Sequence, residues 1–104
     1  MSDRVLIAGC GRVGTRLATA RCAEGIGVVG LKRDPAGLPA GVEPLRADLV
    51  TGAGLDAVPR ECRALVYAPT PDQRDTEGYR RIFIDGLTNL LEQRPLSSNG
   101  RLLF

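Results

Sequence analysis

The fold of this chain is decided by the stretch Val5-Leu6-Ile7-Ala8-Gly9-Cys10-Gly11-Arg12-Val13-Gly14, an apolar run followed directly by G-x-G-x-x-G. In a strand, turn and helix of this kind, the three glycines allow a tight turn, an approach of the backbone to a pyrophosphate, and close packing of the helix. A helix N-terminus adds N–H groups for the phosphates. A purely structural turn would use the same glycines, but the flanking patterns favour a binding loop. We therefore predict that Gly9, Cys10, Gly11, Arg12, Val13 and Gly14 contact a dinucleotide.

Length and composition restrict the other classes of function. The 104 residues carry 43% hydrophobic and 25% charged residues, which is typical of one globular domain spanning residues 1–104. A net charge of +2 without a basic block argues against nucleic-acid binding. No apolar run approaches the roughly 20 residues needed to span a bilayer, so no membrane partner is expected.

The cysteines and the missing histidines restrict the chemistry. Cys10, Cys22 and Cys62 are odd in number and show no C-x-x-C spacing, which predicts reduced thiols in the cytoplasm. The chain contains no histidine, and its cysteines are too scattered for a thiolate site. We therefore expect no metal.

The remaining pattern alternates strands with helices or loops. Apolar spacing predicts a first helix over residues 11–24 and a second strand over 27–31. Residues 33–41 are predicted to be a crossover without a full helix, and residues 42–45 a third strand that lies at an edge because of Pro44. Short helical turns follow within residues 51–59. A fourth strand follows at 64–68, and Asp75 or Thr76 begins a long helix that Pro95 ends. An apolar run at 101–104 begins a fifth strand. The prediction is an α/β fold, a Rossmann-like open parallel sheet with helices on both faces, strand order 3-2-1-4, and strand five cut off at its start.

Four segments carry a resemblance to a known family. They are Val5 to Gly14, Ala47-Asp48-Leu49 after strand three, Ala64 to Thr70 around strand four, and Gly86-Leu87-Thr88-Asn89-Leu90-Leu91 in the long helix. Together they resemble the N-terminal cofactor part of the extended or atypical short-chain dehydrogenases/reductases, the group that includes NAD-dependent epimerases and dehydratases. The resemblance implies that Asp48 and Leu49 border the adenine ring, and that Ala68, Pro69 and Thr70 line the dinucleotide. Asp48 has an alternative role as a cap or turn residue.

Three departures from the family pattern bear on catalysis. Ala8 stands where the family often has its first glycine, and Phe83 stands where an asparagine of the fourth helix would align. The family's catalytic Tyr-x-x-x-Lys follows the fifth strand and would lie beyond Phe104. Neither Tyr67 nor Tyr79 is followed by a lysine four residues later. We therefore expect no catalytic residue here: the chain is an incomplete NAD(P)-binding domain, and a small-molecule substrate belongs only to a full-length parent enzyme.

The end of the second strand indicates which cofactor is preferred. An NAD site places a carboxylate there for the ribose hydroxyls, whereas an NADP site uses cations for the 2′-phosphate. Lys32 and Arg33 occupy this place, so we predict NADP, with NAD possible. Asp34, about 20 residues after Gly14, could instead reach the ribose.

Two other functions remain open at this point. The loop from Gly9 to Gly14 also resembles the ligand-sensing domains of potassium transport systems, although Lys32 stands where those have an acidic residue. A cofactor-binding module without catalysis is the other alternative. An apolar edge at Arg101 to Phe104 further predicts a homodimer.

Overall fold

A computed structural model describes residues 3–71 and 74–104. Its strands are β1 (Val5–Ala8), β2 (Val28–Lys32), β3 (Val42–Arg46), β4 (Cys62–Tyr67) and β5 (Leu96–Leu103). Its helical segments are α1 (Arg12–Ala23), a 3₁₀ turn (Leu55–Ala57), α2 (Thr76–Arg80), a π-helical turn (Arg81–Gly86) and α3 (Leu87–Leu91). The last three follow one another without a break, and we call them the composite helix.

The five strands form one parallel sheet in the order β3-β2-β1-β4-β5. This confirms the predicted order and the edge position of β3. Pro44 is exposed and pairs with Gly30 in the register of β2, so its missing N–H group is accommodated at the outside of the sheet. The central strand β1 is buried at all four residues.

Two apolar clusters cover the two faces of the sheet, because alternate residues of each strand point to opposite sides. On one face, α1 packs through Ala18 against Val5 and Ile7. On the other face, the composite helix packs through Ile82 and Leu90. The segment between β3 and β4 covers that same second face, contributing Leu49, Leu55 and Val58. Helical segments therefore lie on both faces, as predicted.

The composite helix is fixed at its start and in its middle. Asp75 accepts a hydrogen bond from the Gly78 N–H at 2.8 Å, which confirms the predicted N-cap. In the π-helical turn, the buried hydroxyl of Tyr67 donates to the carbonyl oxygen of Ile82. Gly86 allows the helix to approach β4, because a Cβ atom there would lie 2.7 Å from the Tyr67 hydroxyl oxygen.

Strand β5 differs from the prediction, since it begins at Leu96 and not at Arg101. The polar residues Ser97, Ser98 and Asn99 give no apolar strand pattern, but β5 pairs on one side only and lies at the edge of the sheet, where Ser98 and Asn99 are exposed to solvent. The pairing also shifts between Cys62, which faces Leu96, and Ala64, which faces Arg101. Among the helices of the described residues, none combines the length and the apolar character needed to cross a membrane.

Candidate functional site

A cleft of about 500 Å³ lies at the carboxyl ends of β1, β2, β3 and β4. Its position follows from the strand order: the chain leaves β1 and β4 toward opposite faces of the sheet, so a crevice opens between the two following loops. The structure brings nine of the predicted site residues together there: Gly9, Cys10, Gly11, Lys32, Arg33, Asp48, Leu49, Pro69 and Thr70.

The other four predicted site residues stand beside the cleft. Arg12 and Val13 begin α1 and are exposed, Val13 to 71%. Gly14 is buried under the helix, where a Cβ atom would lie 2.7 Å from the carbonyl oxygen of Gly9. This is the close helix packing expected of the third glycine. Ala68 is half-buried at the end of β4, where its N–H donates to the carbonyl of Ala8 at 2.9 Å.

Gly9 makes the narrow floor of the cleft possible. Its φ of +89° lies in the left-handed region, and a Cβ atom would lie 2.3 Å from the Cα atom of Pro69. The two loops can therefore touch only where the side chain is a hydrogen atom. Around Gly11, by contrast, a Cβ atom would meet nothing within 4 Å, so the space beside this backbone is open to a bound group.

The start of α1 supplies main-chain donors. Gly11 N–H donates to the Gly9 carbonyl and Thr15 N–H to the Gly11 carbonyl, both at 2.8 Å. Within the described residues, the N–H groups of Arg12, Val13 and Gly14 have no main-chain acceptor, as is usual in a first helical turn. No acidic residue lies in that turn. An anion is therefore the group that this helix start favours.

The Cys10 side chain points into the core and not into solvent. It is fully buried in the α1-side cluster, and a Cβ atom on Gly30 would lie 3.2 Å from its sulfur. Burial raises the pKa of the Cys10 thiol, so it is protonated at neutral pH. Thr15 donates its hydroxyl to the Cys10 carbonyl at 3.1 Å, which helps to hold the loop on the helix.

Positive charge collects at the β2 end of the cleft. Lys32 and Arg33 line both the cleft and a more open hollow beside it, and Lys32 stands opposite Arg46 in the register of β2 and β3. Asp34 lines the hollow but not the cleft, and its carboxylate accepts from the Ala36 N–H at 3.2 Å. The carboxylate that could serve a ribose therefore lies outside the cleft and stabilises a local turn.

The loop after β3 forms the next wall. The carboxylate of Asp48 accepts from the N–H groups of Val50 at 2.9 Å and Thr51 at 3.2 Å, so it has the turn-forming role that the sequence left open. The amide of Asn89 donates to the carbonyls of Leu49 at 2.9 Å and Val50 at 3.1 Å, which ties the loop to α3. We did not predict Asn89 as a site residue, although the Gly86-to-Leu91 motif contains it.

Sequence reasoning also missed the contribution of the composite helix to the cleft. Gly78, Arg81 and Ile82 line it, together with Leu31, Ala47, Val50, Thr51 and Pro71. Only the tertiary structure brings these helical residues to the cleft, so no local pattern identifies them. Among the described residues, no group of three or more His, Cys, Asp or Glu side chains is placed to hold a metal ion.

Several solved structures of bacterial proteins have this fold. A short-chain dehydrogenase/reductase superfamily protein of Agrobacterium tumefaciens with bound NAD has a TM-score of 0.70 and 24% identity, over 94% of this chain and 30% of that one. Uronate dehydrogenase of the same organism, complexed with NAD, has a TM-score of 0.66 and 24% identity, over 89% and 36%.

A third structure, from Methylobacillus flagellatus and named as an NAD-dependent epimerase/dehydratase, has a TM-score of 0.66 and 31% identity, over 92% of this chain and 35% of that one. The chain thus spans about a third of the length of these three proteins. No family model and no curated protein matches the sequence. The similar structures confirm the Rossmann-like fold and the resemblance to short-chain dehydrogenases/reductases and NAD-dependent epimerases/dehydratases.

Proposed function

We propose that this chain is the NAD(P)-binding domain of a short-chain dehydrogenase/reductase of the epimerase/dehydratase type. The observation that carries the proposal is the cleft at the β1/β4 crevice, which joins the glycine loop to the loops after β3 and β4. Two of the similar structures hold NAD, which supports a dinucleotide as the ligand.

Each wall of the cleft suits one part of the dinucleotide. The open backbone at Gly11 and the start of α1 receive the pyrophosphate. Leu49 and the Asp48 loop border the adenine, and Pro69 and Thr70 line the cofactor beyond β4. Bound nicotinamide supplies hydride transfer, while the residues of this chain bind and orient the cofactor.

The proposed role of these 104 residues is binding without turnover. Lys32 is the only lysine of the chain, so neither Tyr67 nor Tyr79 has the lysine that a Tyr-x-x-x-Lys pair needs. The small-molecule substrate is therefore assigned to the parent enzyme. A cytoplasmic location fits the three free cysteines.

The charge at the β2 end supports NADP as the preferred cofactor. A 2′-phosphate on the adenosine ribose would lie by Lys32 and Arg33, whereas an NAD site needs a carboxylate there. Asp34 does not line the cleft, and one of its carboxylate oxygens accepts from the Ala36 N–H. NAD then binds the same cleft more weakly.

Calorimetric titration of NADP and NAD tests both parts of the proposal. A charge-assisted hydrogen bond contributes about 1.5–3 kcal/mol, so Lys32→Ala and Arg33→Ala should each weaken NADP roughly tenfold or more while changing NAD less than about threefold. Arg16→Ala, an exposed change on α1 outside the cleft, is the control and should leave both affinities unchanged. Equal wild-type affinities would contradict the NADP preference, and no binding of either cofactor would contradict the function.

A further inference from the structure

Arg81 is the one cation that the composite helix brings to the cleft within the described residues. It lines the cleft together with Gly78 and Ile82, which lie on the same turn of helix. Arg81 is also the first residue of the π-helical turn. Such turns replace regular helix at a cost in hydrogen bonding and are frequent at functional sites.

The backbone beside Arg81 is held in place by buried contacts. The Tyr67 hydroxyl donates to the carbonyl of Ile82, the next residue along the chain. At the end of the turn, Gly86 packs so closely on β4 and the β3 loop that a Cβ atom would lie 2.7 Å from the Tyr67 hydroxyl oxygen and 3.2 Å from Leu49 Cβ. The π-helical turn is therefore held by buried contacts at Ile82 and at Gly86, and these contacts fix the backbone position of Arg81.

Those contacts also show at which end of the cleft Arg81 lies. Ile82 belongs to the same buried cluster as Leu49, and Asn89 ties the Leu49 carbonyl to α3. The composite helix and the loop after β3 thus form one wall. This wall is at the adenosine end, because in this fold the adenosine ribose binds near the end of β2 and the pyrophosphate binds at α1.

The guanidinium of Arg81 is available for a ligand. Its ion pair with Glu77 is 3.6 Å long, beyond hydrogen-bond distance, and both side chains are more than half exposed. Pairs of this kind are weak and screened by salt. The neighbouring wall is formed by Leu49, Val50 and Ile82, which suits a flat heterocycle more than a second anion.

We propose that Arg81 recognises the adenine ring, by stacking its planar guanidinium on a purine face while Leu49 of the same wall borders the ring. The inference rests on the proposed dinucleotide site and names the residue that selects the base. An arginine suits this role because its guanidinium is planar, always charged and readily stacked on aromatic rings.

Two mononucleotides separate recognition of the base from attraction of the phosphate. AMP and nicotinamide mononucleotide both carry a ribose and a 5′-phosphate and differ in the base. Their dissociation constants are measured by NMR titration on the wild type, Arg81→Ala and Arg81→Lys. The control is Arg80→Ala, which removes the neighbouring exposed arginine that does not line the cleft.

Arg81→Ala should weaken AMP about three- to tenfold, the range typical of a partly exposed cation–π contact, and leave nicotinamide mononucleotide within twofold. Arg81→Lys should restore less than half of the loss, because the charge returns without the plane, and Arg80→Ala should change neither ligand. Equal losses for both mononucleotides, or full restoration by lysine, would assign Arg81 to a phosphate and overturn the proposal. NADP binding with Arg81→Ala indistinguishable from Arg80→Ala would overturn it while leaving the dinucleotide site intact. If the wild type bound neither mononucleotide nor dinucleotide, the site itself would be refuted and this inference with it.

Discussion

At Gly9 a backbone angle and a close neighbour both exclude a side chain. The φ of +89° is shared with glycines elsewhere in the chain, such as Gly37 at +83°, but a Cβ atom on Gly37 would meet nothing within 4 Å. The two positions therefore separate backbone strain from steric overlap. This difference is measurable, because the same substitution can be made at both.

Gly9→Ala should lower the free energy of unfolding by about 2–5 kcal/mol, the sum of left-handed strain and an overlap with Pro69. Gly37→Ala should cost only about 1–2 kcal/mol, since it adds strain without overlap. Urea unfolding followed by circular dichroism measures both. Equal losses at the two positions would show that the approach of Pro69 does not constrain the loop.

At this scale the sequence located residues better than it described their contacts. The glycine pattern predicted Gly9 and Gly14 with correct reasons, because the need for a missing side chain is local. The sequence left two roles open for Asp48, bordering the adenine or forming a cap or turn, and no local pattern around a carboxylate decides between them. The structure shows the turn-forming hydrogen bonds. Arg81 was missed because helical periodicity says nothing about what lies across a cleft.

Among the elements, the composite helix depends most on a single side chain of another element. Tyr67 of β4 is buried, and its hydroxyl satisfies the Ile82 carbonyl within the π-helical turn, where the regular pattern of helical bonds is broken. The ring also contacts Phe83, with centroids 6.1 Å apart in an edge-to-face arrangement. Strand and helix are thereby locked together.

Tyr67→Phe should destabilise the fold by about 1–3 kcal/mol, because it keeps the ring but removes the hydroxyl that donates to the Ile82 carbonyl. Tyr79→Phe is the matched control: Tyr79 stacks on Phe83 but is 46% exposed, so the change should stay within about 0.5 kcal/mol. Chemical unfolding at neutral pH compares the two. If Tyr67→Phe were as stable as Tyr79→Phe, the Tyr67 hydroxyl would not contribute to the stability of the fold.

The same hydroxyl predicts a loss of stability in alkali. Burial raises the pKa of Tyr67 well above its ordinary value of 10.0, so above that pH the unfolded chain releases a proton that the folded chain retains. The contribution of the Tyr67 hydroxyl to the free energy of unfolding is complete below pH 10, and it falls by up to about 1.4 kcal/mol per pH unit above pH 10. Burial also raises the pKa values of Cys10 and Cys62, but it does so equally in the wild type and in Tyr67→Phe. The two thiols therefore do not affect the difference in stability between these proteins. The stability gap between wild type and Tyr67→Phe should therefore narrow from pH 10 upward, and a constant gap would contradict the assignment.

Asn89 connects α3 to the loop after β3. Asn89→Ala leaves the carbonyls of Leu49 and Val50 without their amide donor, so hydrogen exchange should become faster in residues 50–53 than in β1. The global loss should be about 1–2 kcal/mol. Thr88→Ala, an exposed change on the same helix, should alter neither quantity. Unchanged exchange in the loop would mean that Asp48 holds it alone.

Element types were predictable where periodicity was strong, and the start of the composite helix was predictable because Asp75 caps it; its end at Leu91 comes before Pro95, where the sequence had placed it. Asp75 and the apolar spacing after it predicted a helix, but not the π-helical turn, which arises from contact with Tyr67. The start of β5 was placed five residues too late, because its first half is polar. Pairing with β4 stabilises this edge strand, although the polar residues of its first half have little strand propensity of their own.

For the molecule as a whole, strand order followed from rules of connection and not from any one residue. Two right-handed crossovers place β2 and β3 on one side of β1, and the next pair goes to the other side, giving the observed order. The sheet therefore has two outer strands with different surfaces. On β5, Leu103 is 49% exposed, and Phe104 follows at 78%.

The apolar end of this strand supports the predicted homodimer, since an unpaired edge with exposed apolar residues favours pairing with a second chain. Leu103→Glu places a charge on the edge and should convert a dimer at high micromolar concentration to a monomer. The control is Ile84→Glu, because Ile84 is also exposed, to 59%, but lies on the composite helix. Sedimentation equilibrium distinguishes the species. A monomeric wild type, or dissociation by Ile84→Glu alone, would refute pairing through β5.

The central position of β1 has a consequence for biosynthesis. The strand leaves the ribosome well before one of its two partners, β4, which begins only at Cys62. At about 5–20 residues per second, several seconds pass in which a wholly apolar strand has one unpaired edge. A nascent chain that pauses between Arg46 and Cys62 can form β1, β2 and β3 but cannot close that edge. The rate of translation between Arg46 and Cys62 therefore determines how long the unpaired edge of β1 in the nascent chain needs protection by chaperones.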